Sequence, residues 1–144
     1  MTKTVNLANI TGGRMIGEIR ISAEYWETRY SWGHSATVKD MDTYATLGYC
    51  KIRYYNRTWE SYRFKSALHG AIYDYVKGVT GIDPFKESKR DARPMKNHGA
   101  EYRRLARLEA RQNARDLYDN LCGIVDGTRT EEGIKANGGY TNVA

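Results

Sequence analysis

YCKIRYYNRTWESYRF, residues 49 to 64, is the densest run of rings and cations in the chain, and its reading sets the fold. Successive strand side chains point to opposite faces, so Cys50, Ile52 and Tyr54 fall on one side and Lys51, Arg53 and Tyr55 on the other. One side is core and the other is surface. Asn56-Arg57-Thr58 is a polar turn, after which Trp59 to Phe64 pairs back as a short strand. Ser66 then offers its hydroxyl as a helix N-cap. Beyond it Leu68, Ile72 and Val76, with Ala71 and Tyr75, stand at i, i+4 spacing up to Gly78, where a helix commonly stops. The switch from period two to period 3.6 near Ser66 predicts an α+β fold, an antiparallel meander covered by one helix.

Upstream, Ile19, Ile21, Ala23 and Tyr25 alternate with Arg20, Ser22, Glu24 and Trp26, which is a half-buried strand. Ser31-Trp32-Gly33-His34 is expected to break it, with Gly33 supplying the turn and Ala36 to Lys39 returning antiparallel. Asp40 to Thr43 is the next turn, and Tyr44 to Tyr55 the long strand that follows. Residues 1–15, polar and carrying Gly12-Gly13, are expected to be a flexible arm, and 16–80 the core domain. Gly81-Ile82-Asp83-Pro84 opens a basic, Pro-interrupted linker over 81–99. Residues 100–125 form a basic helical block, with a long helix from Ala100 to Cys122, and 126–144 a Gly-rich tail.

The apolar fraction is 40% and the charged fraction 28% in 144 residues, enough for one domain with a modest core. Twelve Tyr against two Phe leave many rings with a hydroxyl to satisfy. That fits half-buried rings on a binding surface, and equally a sheet whose cross-strand pairs are Tyr-rich. The net charge of +6 is concentrated between Lys86 and Arg115, where ten cations face four acids while the rest of the chain balances. Such an excess is the footprint of a protein that meets a polyanion, and also the look of a solvated helix. Arg103, Arg107, Arg111 and Arg115 recur every four residues as a slowly winding stripe, with Arg104 beside it.

Two distant cysteines, Cys50 and Cys122, make neither a disulfide framework nor a metal spacing and point to a reducing compartment. No run approaches a membrane span, and the N-terminus lacks the apolar stretch of a signal peptide. His34, His69 and His98 are expected in a hairpin turn, a helix and the linker, with no nucleophile at a recognised spacing. Glu131-Glu132 with Lys135 has the composition of an acid-acid-lysine nuclease centre but lacks a rigid strand to hold the ions. Gly12-Gly13-Arg14 and Gly138-Gly139 lack the Lys-Ser/Thr and helix of a phosphate loop. No catalytic residue, metal ligand or cofactor is therefore assigned. The candidate binding residues are Lys51, Arg53, Tyr55, Arg57 and Trp59 around the aromatic turn, and Arg103, Arg104, Arg107, Arg111 and Arg115 on the helix.

The run KIRYYNRTWESYRFKSALHGAI, Lys51 to Ile72, resembles a segment of small uncharacterised proteins of bacteriophages and mobile elements, in which a strand ending in an aromatic pair leads through NRTWE into a helix. The basic helix lies outside the resemblance, and no catalytic residue carries over with it. The resemblance implies a setting: small phage proteins of this kind, without an active site, are often inhibitors of host nucleases, anti-CRISPR proteins among them, or accessory nucleic-acid binders. Two functions follow as expectations. In one the chain is a non-catalytic inhibitor of a host nuclease or its guide RNA/DNA complex in the bacterial cytoplasm. In the other it binds phosphates and bases of nucleic acid directly. Both use the same residues.

Overall fold

The computed structural model describes residues 1–55, 58–59 and 64–139. Five antiparallel strands lie in sequence order: β1 (Thr2–Asn6), β2 (Glu18–Glu27), β3 (Ser31–Asp40), β4 (Thr46–Tyr55) and β5 (Thr58–Trp59). The helices are α1 (Leu7–Thr11), α2 (Ala67–Thr80), α3 (His98–Asp126) and α4 (Glu131–Ala136), with a 3-10 turn at Lys89–Ala92. The fold is the α+β meander that the change of period predicts.

Register explains the two faces. Ile21 pairs with Val38 and Val38 with Gly48, while Ala23, Ala36 and Cys50 form the next row. These rows face α2, whose Ala71, Ile72, Tyr75 and Val76 are buried against them. The helix lies close because two glycines stand in the interface. A Cβ on Gly48 would lie 2.4 Å from the Ala71 carbonyl oxygen, and one on Gly70 would lie 2.3 Å from Cys50 Sγ. α3 packs behind α2 through Ala114, Leu117 and Leu121, all fully buried, so the core has a sheet and two helical layers. The opposite face of the sheet, carrying Arg20, Lys51 and Arg53, has no helix packed on it among the described residues.

Four expectations are corrected. Residues 1–15 are not an arm: β1 pairs with β2 from Thr2↔Ser22 to Asn6↔Glu18, and Val5 and Ile10 are fully buried. Asn6 caps α1 by accepting the Ala8 N–H at 3.0 Å, and Gly12 ends it in the left-handed region at φ 67. The alternation Thr4-Val5-Asn6 is too short to register as a strand, and its burial comes from the β2 partner.

Ser31 to His34 is not a turn. β3 begins at Ser31, and the reversal lies earlier, closed by the Thr28 N–H donating to the Ser31 carbonyl at 2.7 Å. Gly33 is a mid-strand residue, there for close approach rather than for turning: an added Cβ would fall 1.9 Å from the Ile52 carbonyl oxygen and 2.8 Å from Trp26 Cζ2.

The 81–99 segment is not a free linker. Its Asp91 is 5% exposed and is gripped by arginines of α3. The tail carries α4, capped by the Thr130 hydroxyl accepting the Gly133 N–H at 3.0 Å and packed through Ile134. The Asn6 N–H donates to Glu131 Oε1 at 2.7 Å, so the start of α4 is tied to the junction of β1 and α1. The long helix runs from His98 to Asp126, slightly beyond both sequence bounds, because Asn97 caps it and Gly127 ends it at φ 78.

Candidate binding site

Trp26, on β2, lies on the helix-free face of the sheet in the row Trp26↔Gly33↔Arg53. The missing side chain at Gly33 lets the indole lie flat across β3 toward β4. There Lys51 Nζ stands 4.5 Å from the ring centroid and Arg53 Cζ 5.8 Å. Each such contact is worth about 0.5–1 kcal/mol where exposed. Trp26 Nε1 is buried and has no hydrogen-bond partner among the described residues.

On the other side of the same strands, beyond the first turn of α2, the rings of Tyr25, His34, Tyr54 and Trp32 touch in series. Tyr25 meets His34 at 5.7 Å, edge to face; His34 meets Tyr54 at 6.4 Å and 89°; Trp32 stacks on Tyr54 at 6.2 Å and 25°. Arg29 lies 5.4 Å from the ring of Tyr30 in the adjoining turn. Tyr25 is 58% exposed, Tyr30 67% and Trp32 36%, a concentration of large surface rings at one end of the sheet. β5 pairs with β4 at this same end, Tyr54↔Trp59 and Tyr55↔Thr58. Arg57 and the side chains of Tyr55 and Trp59 lie outside the described residues.

Lys51 and Arg53 thus lie over Trp26, on the face of the strands away from the ring series, and sequence reading under-filled this end of the sheet. It missed Tyr25, Tyr30, Trp32 and His34, and placed Trp26 only as a residue of the surface face. Their signal was available: two aromatic pairs flank Thr28 in a strand pattern, and antiparallel pairing brings them beside Tyr54.

The helical arginines do a different job. Asp91 accepts from Arg107 at 2.8 and 3.2 Å on one carboxylate oxygen and from Arg111 at 2.9 Å on the other. Arg104, 8% exposed, donates to the Asp91 carbonyl at 2.8 Å and to Glu101 at 2.6 and 2.9 Å. Glu101 also accepts the Met95 N–H at 2.6 Å. Arg115 donates to the Pro84 carbonyl at 3.2 Å and lies 5.7 Å from the Phe85 ring centroid. The stripe therefore clamps the 81–99 segment onto α3. Hydrogen bonds from Arg107 and Arg111 hold the Asp91 carboxyl below its ordinary range, and that from Arg104 brings Glu101 down to about 2. Arg103 is exposed, as are Lys86, Lys89, Arg90, Arg93 and Lys96. The exposed positive charge of this region is therefore carried mostly by the clamped segment.

His69 has a serine beside it, three residues earlier in the chain, which is not a recognised nucleophile spacing. Its Nδ1 is 3.2 Å from Ser66 Oγ and its Nε2 is 3.0 Å from both carboxylate oxygens of Asp126. Asp126 can only accept, so Nε2 carries the proton of that contact, and Nδ1 lies within hydrogen-bond reach of the serine hydroxyl. Ser66 Oγ also accepts the His69 N–H at 3.4 Å, as the cap of α2. The string has the residue types of an acyl-transfer triad, but its hydroxyl is engaged at the helix start and the ring is 5% exposed. In this structure it fastens the start of α2 to the end of α3. His34 is in the ring series, not a turn, and His98 is the first residue of α3.

Among the described residues no three His, Cys, Asp or Glu side chains are grouped to hold a metal ion, and no helix is long and apolar enough to cross a membrane. No family model, curated protein or solved structure matches the chain.

Proposed function

We propose that this chain is a non-catalytic binding protein whose hairpin end docks on a protein component of a nucleoprotein assembly. In the setting that the phage resemblance implies, the partner is a host nuclease, bound with its guide and blocked in the bacterial cytoplasm. The observation that carries the reading is the series Tyr25, His34, Tyr54 and Trp32 at the hairpin end of the sheet, with Arg29 in the adjoining turn and Lys51 and Arg53 over Trp26 on the opposite face of the same strands. Trp, Tyr and Arg are the residues that dominate protein interface hot spots. A base-stacking platform needs open ring faces, and here the rings pack edge to face or on one another.

Direct binding of nucleic acid is the second reading, favoured by the exposed cations Lys86, Lys89, Arg90, Arg93, Lys96 and Arg103. The two separate in a capture experiment from host lysate with and without nuclease digestion. A nuclease-resistant protein partner, lost with Tyr25→Ala/Trp32→Ala and kept with Lys89→Ala/Arg90→Ala, supports docking on protein. Loss of every partner on digestion overturns it, as does tight binding to random RNA or DNA that weakens by about 0.7–0.9 log units per phosphate contact for each tenfold rise in salt.

A further inference from the structure

A cavity of about 410 Å³ opens at the far end of the sheet from the hairpin, between the start of β2, the end of β3, β4 and α2. That volume lies within the range of small-molecule sites, roughly 300–1,000 Å³. Its walls include Leu7, Met15, Leu47 and Val79, and its rim is apolar too: Ile16 is 93% exposed and Leu47 40%. Against this apolar lining stand three carboxylates, Glu18, Asp40 and Asp42. Among the described residues none of the three has a cationic partner. One oxygen of Asp40 accepts the Asp42 and Thr43 N–H groups at 2.8 and 3.4 Å, which fixes the turn and leaves the other oxygen free of such bonds. Asp42 Oδ2 lies over Gly17, 3.8 Å from where a Cβ would stand.

The second observation is independent of the acids. Tyr75 lines the cavity and is 1% exposed, yet its hydroxyl has no hydrogen-bond partner among the described residues. A buried hydroxyl without a partner is costly, by about 1–3 kcal/mol in mutational series, so such a group in a cavity wall calls for an occupant that satisfies it. Burial and the nearby Asp40 charge push the phenol up to about 12, so it is a neutral hydroxyl within electrostatic reach of that carboxylate. It can accept an N–H.

We propose that this cavity is a binding site for a small hydrophobic amine, its apolar body against Leu7, Leu47 and Val79 and its ammonium among Asp40, Asp42 and the Tyr75 hydroxyl. A neutral molecule of the same shape would fill the walls but leave the carboxylates without a counter-charge, and an anion would be repelled by them. The site shares no residue with the hairpin surface, so each proposal can fail without the other.

The test uses the full chain and two probes of nearly equal shape, 2-phenylethylamine and 2-phenylethanol, titrated at neutral pH while the methyl resonances of Leu7, Leu47 and Val79 are followed by NMR. The expected result is saturable shifts confined to these methyls, with the amine binding at least tenfold more tightly than the alcohol. Asp40→Asn/Asp42→Asn, in which Asn keeps the turn-forming acceptor, should bring the two probes within twofold of each other. Tyr75→Phe should weaken the amine severalfold, and the alcohol, whose O–H can also pair with the phenol hydroxyl, by no more than the amine. If the double variant does not fold, Asp42→Asn alone, at an exposed position, should narrow the amine preference severalfold. Equal affinity for both probes, shifts elsewhere in the protein, or no saturation at millimolar amine would overturn the proposal.

Discussion

Replacing Gly33 by Ala tests whether close approach, rather than turning, places a glycine in β3. The new Cβ would sit 1.9 Å from the Ile52 carbonyl oxygen and 2.8 Å from Trp26 Cζ2, where ordinary contact begins at 3.4 Å. The Trp26 ring can swing aside, giving up its contacts with Lys51 and Arg53. The carbonyl cannot, so β3 and β4 must part by roughly 1.5 Å at this row. Overpacking of this kind destabilises by about 1–3 kcal/mol, offset by the roughly 0.5–1 kcal/mol that Ala gains over Gly within a strand. A net loss near 1 kcal/mol lowers the urea midpoint by about 0.5 M, for a slope of about 2 kcal/mol per M. The assay is urea unfolding followed by far-ultraviolet circular dichroism, run also in a Trp26→Ala background. Removing the ring relieves the contact at 2.8 Å but not the one at 1.9 Å, so Gly33→Ala should still destabilise in that background, by less than in the native sequence. A Gly33→Ala protein as stable as the parent, or more so, would refute the reasoning and return Gly33 to an ordinary strand position.

Two further outcomes test the clamp and the tail. Glu101 has its carboxyl at about 2 in the folded protein against an ordinary 4.5. Its contribution is therefore complete above pH 4.5 and is lost as pH falls through 2, and Glu101→Gln should flatten the fall in urea midpoint over that window. Ile134→Ala, at a side chain only 7% exposed beneath α4, should destabilise by about 2–5 kcal/mol; an unchanged midpoint would mean that the tail is an appendage after all.

The local rules were legible in the sequence. Alternation over Ile19–Tyr25 and Cys50–Tyr54 assigned the faces of two strands correctly, because the pleat depends on neighbouring residues alone. Ser66 and Gly78 bracketed α2 closely for the same reason: the Ser66 cap is made within one turn, and the helix ends at Thr80 with Gly81 in the left-handed region. Tertiary structure decided what depends on partners distant in sequence. β1 is a strand because β2 offers it an edge, and α4 is ordered because Ile134 finds the core and Glu131 finds Asn6. Gly33 read as a turn because glycine's absent side chain serves both turning and close approach, and only the position of Trp26 and Ile52 tells them apart. The arginine stripe was visible as a period of four, but its partner was not. Asp91 lies 16 residues before Arg107 in a segment without periodicity, and a charge at that separation meets its counterion only after the chain has folded back.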